Sequence, residues 1–375
     1  MGLCAGSKVD FCVLPYAHKV RVKPNHSSKN GSLGELALLR TIRAQAARRS
    51  SSGLRLGIGD DCALLAARPG EELAVTTDLS IAGRHFRLDW HSAEVVGHRT
   101  LARGLSDLAA MGARPVAAFL SLGLPKELTV AHRGKAWVDG FFQGLQQLAA
   151  EYKVPLAGGD LAESPVALAD IVLVGAVSAG KAMLRSGAKA GDSLYVTGSL
   201  GGAACGLERL ADLAASRIFS SKKSGKDGAR GSFSGCPIPK KLEVLLAAHL
   251  YPQPRIAQGL WLRKRGLASA ALDLSDGLST DLAHLCEESG VGAEVEALRL
   301  PLGPGATLDQ ALHGGEDYEL LFTAPATARV PRSIAGVAIT RIGRMVKARA
   351  GQPTITLVRE NGREAVKGRG WEHFA

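Results

Sequence analysis

A chain of 375 residues is long enough for two domains of ordinary size. With 46% apolar and 22% charged residues, it excludes wholesale disorder, collagen and a coiled coil, and no apolar run approaches the ~20 residues of a membrane-spanning helix. The net charge of +11 is uneven: residues 1–55 carry ten Lys/Arg against two Asp/Glu, residues 211–241 are net +5, residues 329–375 are net +7, and the rest is net −9. The excess therefore reads as solvated tails and one insert. A nucleic-acid footprint would be a folded basic stripe with interleaved aromatics.

Aromatics are only 5%, so the core must come from Ala, Leu and Val, and 45 glycines point to tight turns of the kind that carry phosphate sites. The six cysteines, at 4, 12, 62, 205, 236 and 286, form no C-x-x-C pair and fit no zinc or disulfide framework. Reduced thiols in a cytoplasm are the default expectation. Residues 1–30 lack an apolar signal core and read as a disordered tail.

In chain order, Leu33, Leu36, Leu39 and Ile42 predict an amphipathic helix over 33–47. LRLGIGDDCALL and ELAVTTDLSI read as short strands, 92–111 as a helix with Leu101, Leu105 and Leu108 on one face, and PVAAFLSLGLP as a strand. A helix over 131–151, the short strand VPLAG with a Gly-Gly-Asp turn, and the strand ALADIVLVGAVSAG close a first half near residue 182. The second half, 183–375, opens with the strand GDSLYVTGSL and a helix over 201–215. A Ser/Gly/Lys-rich flexible insert at 217–238 follows, with helices from 239 to 250 and on to 265. Strand SAALDLSD leads into a helix over 278–289, and GGEDYELLFTA is the clearest later strand. Strands and helices mix without strict alternation, which predicts a two-domain α+β layered fold.

The chemistry lies in the aspartates. Asp61 follows a Gly-Ile-Gly turn, Asp78 ends AVTTD, Asp107 edges the apolar face of its helix, Asp160 follows Gly158-Gly159, and Asp273 and Asp276 flank Leu274-Ser275. Carboxylates facing one another repel, and a divalent cation removes the conflict. Hard oxygen ligands favour Mg²⁺ or Ca²⁺. The plainer alternatives are helix N-caps at the turns and an Asp107–Arg103 pair one turn apart. GAVSAGKA matches a P-loop for seven positions but has Ala182 where the metal-binding hydroxyl belongs, and no G-x-G-x-x-G follows a strand. Bound ATP would therefore be held through metal on the carboxylates, helped by a cation such as Arg185.

Taken in order, GIGDDCALL, TTDLSIAGRHF, LSDLAAMGARP, AGGD, LRSGAKAGDSLYVTGSLG, YPQPR, ALDLSDGLSTDL, GGEDYELLF and the terminal GWEHF resemble the thiamine-monophosphate kinase family, within the wider aminoimidazole-ribonucleotide synthetase-like superfamily. The resemblance implies an N-terminal domain sheet that forms a barrel across a homodimer, and a C-terminal α/β sandwich. It implies ATP-dependent, in-line phosphorylation of thiamine monophosphate with Mg²⁺ bridging the phosphates; the charge distribution and the lack of a long apolar run predict no nucleic-acid or membrane partner. On the family's motifs, Asp61, Asp78, Asp107, Asp160, Asp273 and Asp276 fall on metal positions, with Asp78, Asp273 and Asp276 central to catalysis. Thr76 and Thr77 flank the metal site as cofactor-binding residues, Arg185 and Ser275 fall on ATP positions, and His85, Glu316 and Trp371 on thiamine positions. Leu161-Ala162, Gly104 and Gly201-Gly202 depart from the family pattern. The rival expectations are another ATP-using member of the superfamily and a non-catalytic nucleotide-binding protein.

Overall fold

A computed structural model describes residue 42 and residues 53–56, 64–223, 238–351 and 354–370. Ile42 is helical and buried. The rest of the expected helix over 33–47, the tail 1–30, Asp61, most of the insert and Trp371 lie outside the described residues.

The N-terminal half is a four-stranded sheet. Its strands are β3 (Glu71–Ile81), β4 (Arg114–Leu124), β5 (Leu156–Glu163) and β6 (Leu168–Ser178), in the order β3-β6-β4-β5. A small antiparallel pair, β1 (Leu54–Leu56) and β2 (Leu64–Leu65), precedes it. Along β3 burial alternates: Ala74, Thr76, Asp78 and Ser80 turn inward, while Leu73, Val75, Thr77 and Leu79 are exposed on the other face.

Helices α1 (Ala93–Ala110) and α2 (Ala131–Glu151) accompany this sheet. Ser92 starts α1 by accepting the Val95 N–H, and Leu101, Leu105 and Leu108 bury its apolar stripe. On α2, Trp137, Phe141, Leu145 and Leu148 do the same. The two helices meet with backbones almost touching. A Cβ on Gly97 would lie 1.9 Å from the Phe141 carbonyl oxygen, and one on Gly144 would lie 1.9 Å from that of Glu94. Gly144→Ala is therefore expected to destabilise by about 1–3 kcal/mol, as overpacking does. The check is the urea midpoint at constant m-value, and an unmoved midpoint would contradict the close packing.

The C-terminal half is an eight-stranded sheet. Its strands are β7 (Ser193–Thr197), β8 (Ala270–Asp273), β9 (Val291–Glu296), β10 (Leu320–Ala324), β11 (Ser333–Ile334), β12 (Val337–Lys347), β13 (Ile355–Arg359) and β14 (Gly362–Val366). The order is β14-β13-β9-β12-β7-β10-β8, with β11 on β12, and only the β13–β9 pairing is parallel. Its helices are α3 (Gly202–Lys223), α4 (Glu243–Leu250), α5 (Ile256–Arg265), α6 (Leu278–Ser289) and α7 (Leu308–His313). Mixed sheets with attendant helices make the expected two-domain α+β fold, and neither described sheet closes into a barrel within one chain. Among the described residues no helix is long and apolar enough to cross a membrane.

Several local expectations are corrected. Asp78 does not end its strand: β3 stays paired with β6 as far as Ile81↔Leu168. Gly158-Gly159-Asp160 is not a turn but part of β5, in register with β4 through Glu163. In both places the ladder continues through polar residues that the short apolar runs do not reveal. Helix α3 runs to Lys223, past the expected end at 215 and into the segment read as insert. Of GGEDYELLFTA, only Leu320–Ala324 is strand.

Candidate active site

Helix α1 contacts both halves, and the site forms along it. Its Ser106 hydroxyl donates to Asp273 Oδ2 at 2.7 Å, at the end of β8. Asp107 accepts a short hydrogen bond from the Thr76 hydroxyl of β3. Arg103 Nη2 donates to Asp78 Oδ1 at 2.6 Å. The Asp107–Arg103 pair considered from the sequence is thus replaced by an Arg103–Asp78 pair, because packing α1 on β3 brings Asp78 closer than the next helical turn.

The loop after β8 and the loop before β10 are zipped together. Glu316 N–H donates to the Ser275 carbonyl at 2.7 Å, and Tyr318 N–H to that of Leu274 at 2.9 Å. These bonds require left-handed backbone at two non-glycine residues, Glu316 (φ 68°) and Tyr318 (φ 51°). The N–H groups of Asp276 and Gly277 both donate at 3.0 Å to Asp281 Oδ2, which fixes the turn carrying Asp276. Gly277 allows that turn: its φ is 110°, and a Cβ would lie 2.9 Å from the His313 carbonyl.

These elements enclose a cavity of about 380 Å³. Asp78, Asp107, Asp273 and Asp276 line it together with Ser275, and so do His85, Phe86, Trp90, Arg103, Glu316 and Tyr318. Burial raises the carboxyls of Asp78, Asp107 and Asp273, and Asp107 adds to the effect at Asp273, which reaches about 7. Asp281, just behind, is pushed to about 8 by burial and by Asp273 and Asp276. The Arg185 guanidinium partly counters this crowding at Asp107 and Asp273, although Arg185 itself is exposed and outside the cavity wall.

Glu316 is held differently. Burial would raise its carboxyl, but Arg99, at 2.6 Å from Oε1, and His249, at 3.5 Å from Oε2, outweigh this and hold it well below the usual carboxylate range. Burial and Arg99 in turn keep His249 toward its neutral form. A consistent proton order follows: Arg87 N–H donates to His91 Nδ1 (3.1 Å), His91 Nε2 to His249 Nε2 (2.9 Å), and His249 Nδ1 to Glu316.

Of the residues expected at the site, the cavity gathers Asp78, Asp107, Asp273, Asp276, Ser275, His85 and Glu316. Thr76 reaches it through Asp107. Thr77 points to the exposed face of β3, and Asp160 lies exposed on β5 with its carboxylate on the Leu161 N–H at 2.9 Å. His85 Nδ1 is 3.0 Å from the Ile81 N–H. The sequence reading missed Arg99, His91, His249, Tyr318 and Trp90. The one available signal was the pair of histidines at 91 and 98 on or beside the Asp107 helix.

Among the described residues, no three His, Cys, Asp or Glu side chains meet closely enough to hold a metal ion by themselves. The donor set nonetheless suits a hard cation that shares its shell with phosphate. Four carboxylates wall one cavity, and burial raises three of them, Asp78, Asp107 and Asp273, even with Arg103 paired to Asp78.

The sequence matches AIR synthase related protein, N-terminal domain, over residues 59–180, and AIR synthase related protein, C-terminal domain, over residues 189–355. Fold and site thus define a two-domain AIR synthase-related protein. Thiamine-monophosphate kinase of Escherichia coli (strain K12) is 37% identical over 340 residues, 88% of this chain and 94% of the relative. The crystal structure of thiamine-monophosphate kinase from Stenotrophomonas maltophilia K279a is 36% identical with a TM-score of 0.69, covering 88% of this chain and 98% of that one. AaThiL complexed with AMPPCP and TMP is 30% identical with a TM-score of 0.66, covering 91% and 97%. The chain belongs to the thiamine-monophosphate kinase family.

Proposed function

We propose that this chain transfers the γ-phosphoryl group of ATP directly to the phosphate of thiamine monophosphate (TMP), giving thiamine diphosphate and ADP. The observation that carries the reading is one cavity in which four carboxylates and Glu316 share walls with Phe86 and Trp90. Membership of the kinase family supports the reaction, and a relative solved with AMPPCP and TMP supports the two ligands.

Asp78, Asp107, Asp273 and Asp276 would hold Mg²⁺, which supplies charge neutralisation between the two phosphate groups. Asp61 and Asp160 complete the proposed metal set without carrying the reading, Asp61 lying outside the described residues and Asp160 outside the cavity. Thr76 fixes the Asp107 carboxylate and Ser106 that of Asp273. Ser275, Thr77 and Arg185 are proposed nucleotide contacts. Glu316, kept ionised by Arg99 and His249, offers a fixed negative charge to the cationic thiamine, and His85 and Trp371 are proposed to hold its rings. The acceptor is a phosphate oxygen already ionised at neutral pH, so the transfer needs alignment more than a strong base.

The proposed division at 182/183 falls between the two family matches. We also propose a cytoplasmic homodimer in which the exposed face of β3 closes a barrel with its counterpart. Leu73, Val75 and Leu79 on that face are 45%, 62% and 44% exposed, an apolar strip interrupted by Thr77. Val75→Lys is expected to convert dimer to monomer in sedimentation velocity, and a dimer that persists in Val75→Lys/Leu79→Lys would contradict this interface. The function itself is tested by a coupled ADP-release assay over thiamine, TMP, selenide and formylglycinamidine ribonucleotide. Release that depends on TMP alone is expected; release with another acceptor, or without any, would assign a different reaction.

A further inference from the structure

Arg103 has fewer acceptors than its position calls for. It leaves α1 one turn before Asp107 and lines the cavity. Its Nη2 donates to Asp78, but its buried Nε has no hydrogen-bond partner. Buried donors are seldom left unmade, and the other two such side-chain atoms among the described residues, on Trp137 and Arg263, do not line this cavity. Arg103 shares the cavity wall, and is electrostatically coupled, with Asp78 and Asp107 as well as with Glu316 and Tyr318. It is a permanent cation whose planar fork of five donors matches a phosphate's oxygens, and Asp78 fills only part of that fork.

We propose that Arg103 is a phosphate-binding residue, its guanidinium held by Asp78 on one edge and turning its unfilled N–H groups onto an oxyanion of a phosphorylated ligand in this cavity. The inference rests on the functional reading above. It deepens that reading by naming the protein cation that receives a phosphate between the carboxylates and Glu316. The phosphate can be that of TMP or the terminal one of the nucleotide; the chemistry is the same.

The test is equilibrium binding by calorimetry, with no turnover involved. TMP, thiamine and AMPPCP are titrated into the full chain, into Arg103→Ala, Arg103→Lys and the double variant Arg103→Ala/Asp78→Asn, with thermal unfolding as the fold control. Loss of one charge-assisted contact should weaken TMP by about ten- to a hundredfold in Arg103→Ala and leave thiamine unchanged. Arg103→Lys should recover only part of the loss. The same loss for AMPPCP in place of TMP assigns the contact to the nucleotide and also supports the proposal.

Three outcomes overturn it: no ligand weakened, TMP and thiamine weakened equally, or TMP affinity returned to the wild-type value by adding Asp78→Asn. The last would mean that Arg103 only screens Asp78. If Arg103→Ala does not fold, Arg103→Lys decides: severalfold weaker TMP at constant thiamine supports the fork, and wild-type affinity for both phosphorylated ligands refutes it. A wild-type chain that binds neither TMP nor AMPPCP overturns the functional reading itself, whereas wild-type binding with indifferent variants overturns this inference alone.

Discussion

Asp273→Asn is expected to lower turnover by about 10²- to 10³-fold, the loss typical of removing one preorganised electrostatic group from a transfer site, with the fold retained. Asp273 is 5% exposed at the end of β8 and accepts from Ser106, a bond that the asparagine oxygen can keep. What the change removes is negative charge, in a place where burial and Asp107 already oppose it. The variant should therefore be at least as resistant to heat as the parent while losing a carboxylate proposed to hold the cation. Steady-state kinetics at saturating Mg²⁺, paired with a thermal melt, separates the two effects. Turnover within tenfold of the parent, or a large drop in melting temperature with proportional loss of activity, would contradict the assignment.

Glu316→Ala is expected to cost about 3–5 kcal/mol of stability, because it leaves the Arg99 guanidinium buried without its partner. The Arg99 side chain is only 4% exposed, so it relies on this carboxylate as its charged partner. Glu316→Gln keeps an acceptor for Arg99 and should lose much less stability, while raising KM for TMP by about ten- to a hundredfold through loss of the charge proposed to face the thiamine cation. The pairing also has a pH signature. The folded pKa lies below the unfolded carboxylate value, so this contribution is complete above the ordinary glutamate range and is lost progressively as pH falls below that range toward the folded pKa. Replacing Glu316 by Gln should flatten that acid limb in urea titrations. An acid limb as steep in the Gln variant as in the parent would place the stabilisation elsewhere.

What could be read from the sequence was mostly local. Asp273 and Asp276 follow a short apolar strand and precede a helix, and Asp107 edges an apolar stripe, so their letters alone marked candidates that the cavity gathers. The turn assignments for Asp78 and Asp160 failed because β3 and β5 continue through Thr, Gly and Asp, held by neighbours rather than by their own apolar pattern. For Asp160 the continued strand puts the carboxylate on an exposed edge.

The clamp on Glu316 was illegible for another reason. His91 and His249 are 158 positions apart, and Arg99 and Glu316 are 217 apart, so only the packing of α1 against α4 and the 314–319 loop makes them neighbours. The left-handed backbone at Glu316 and Tyr318 was hidden for the same reason: carbonyls at 274 and 275 impose it, not the residues themselves.

The most direct measurement follows the transferred atom. The full chain is incubated with Mg²⁺, TMP and ATP labelled at the γ-phosphorus, and the products are separated. If the carboxylate-walled cavity aligns the two phosphates for direct transfer, the label appears in the terminal phosphate of thiamine diphosphate, in step with ADP, and disappears when Mg²⁺ is chelated or thiamine replaces TMP. Label found only in inorganic phosphate, or ADP formed at the same rate without TMP, would contradict the account.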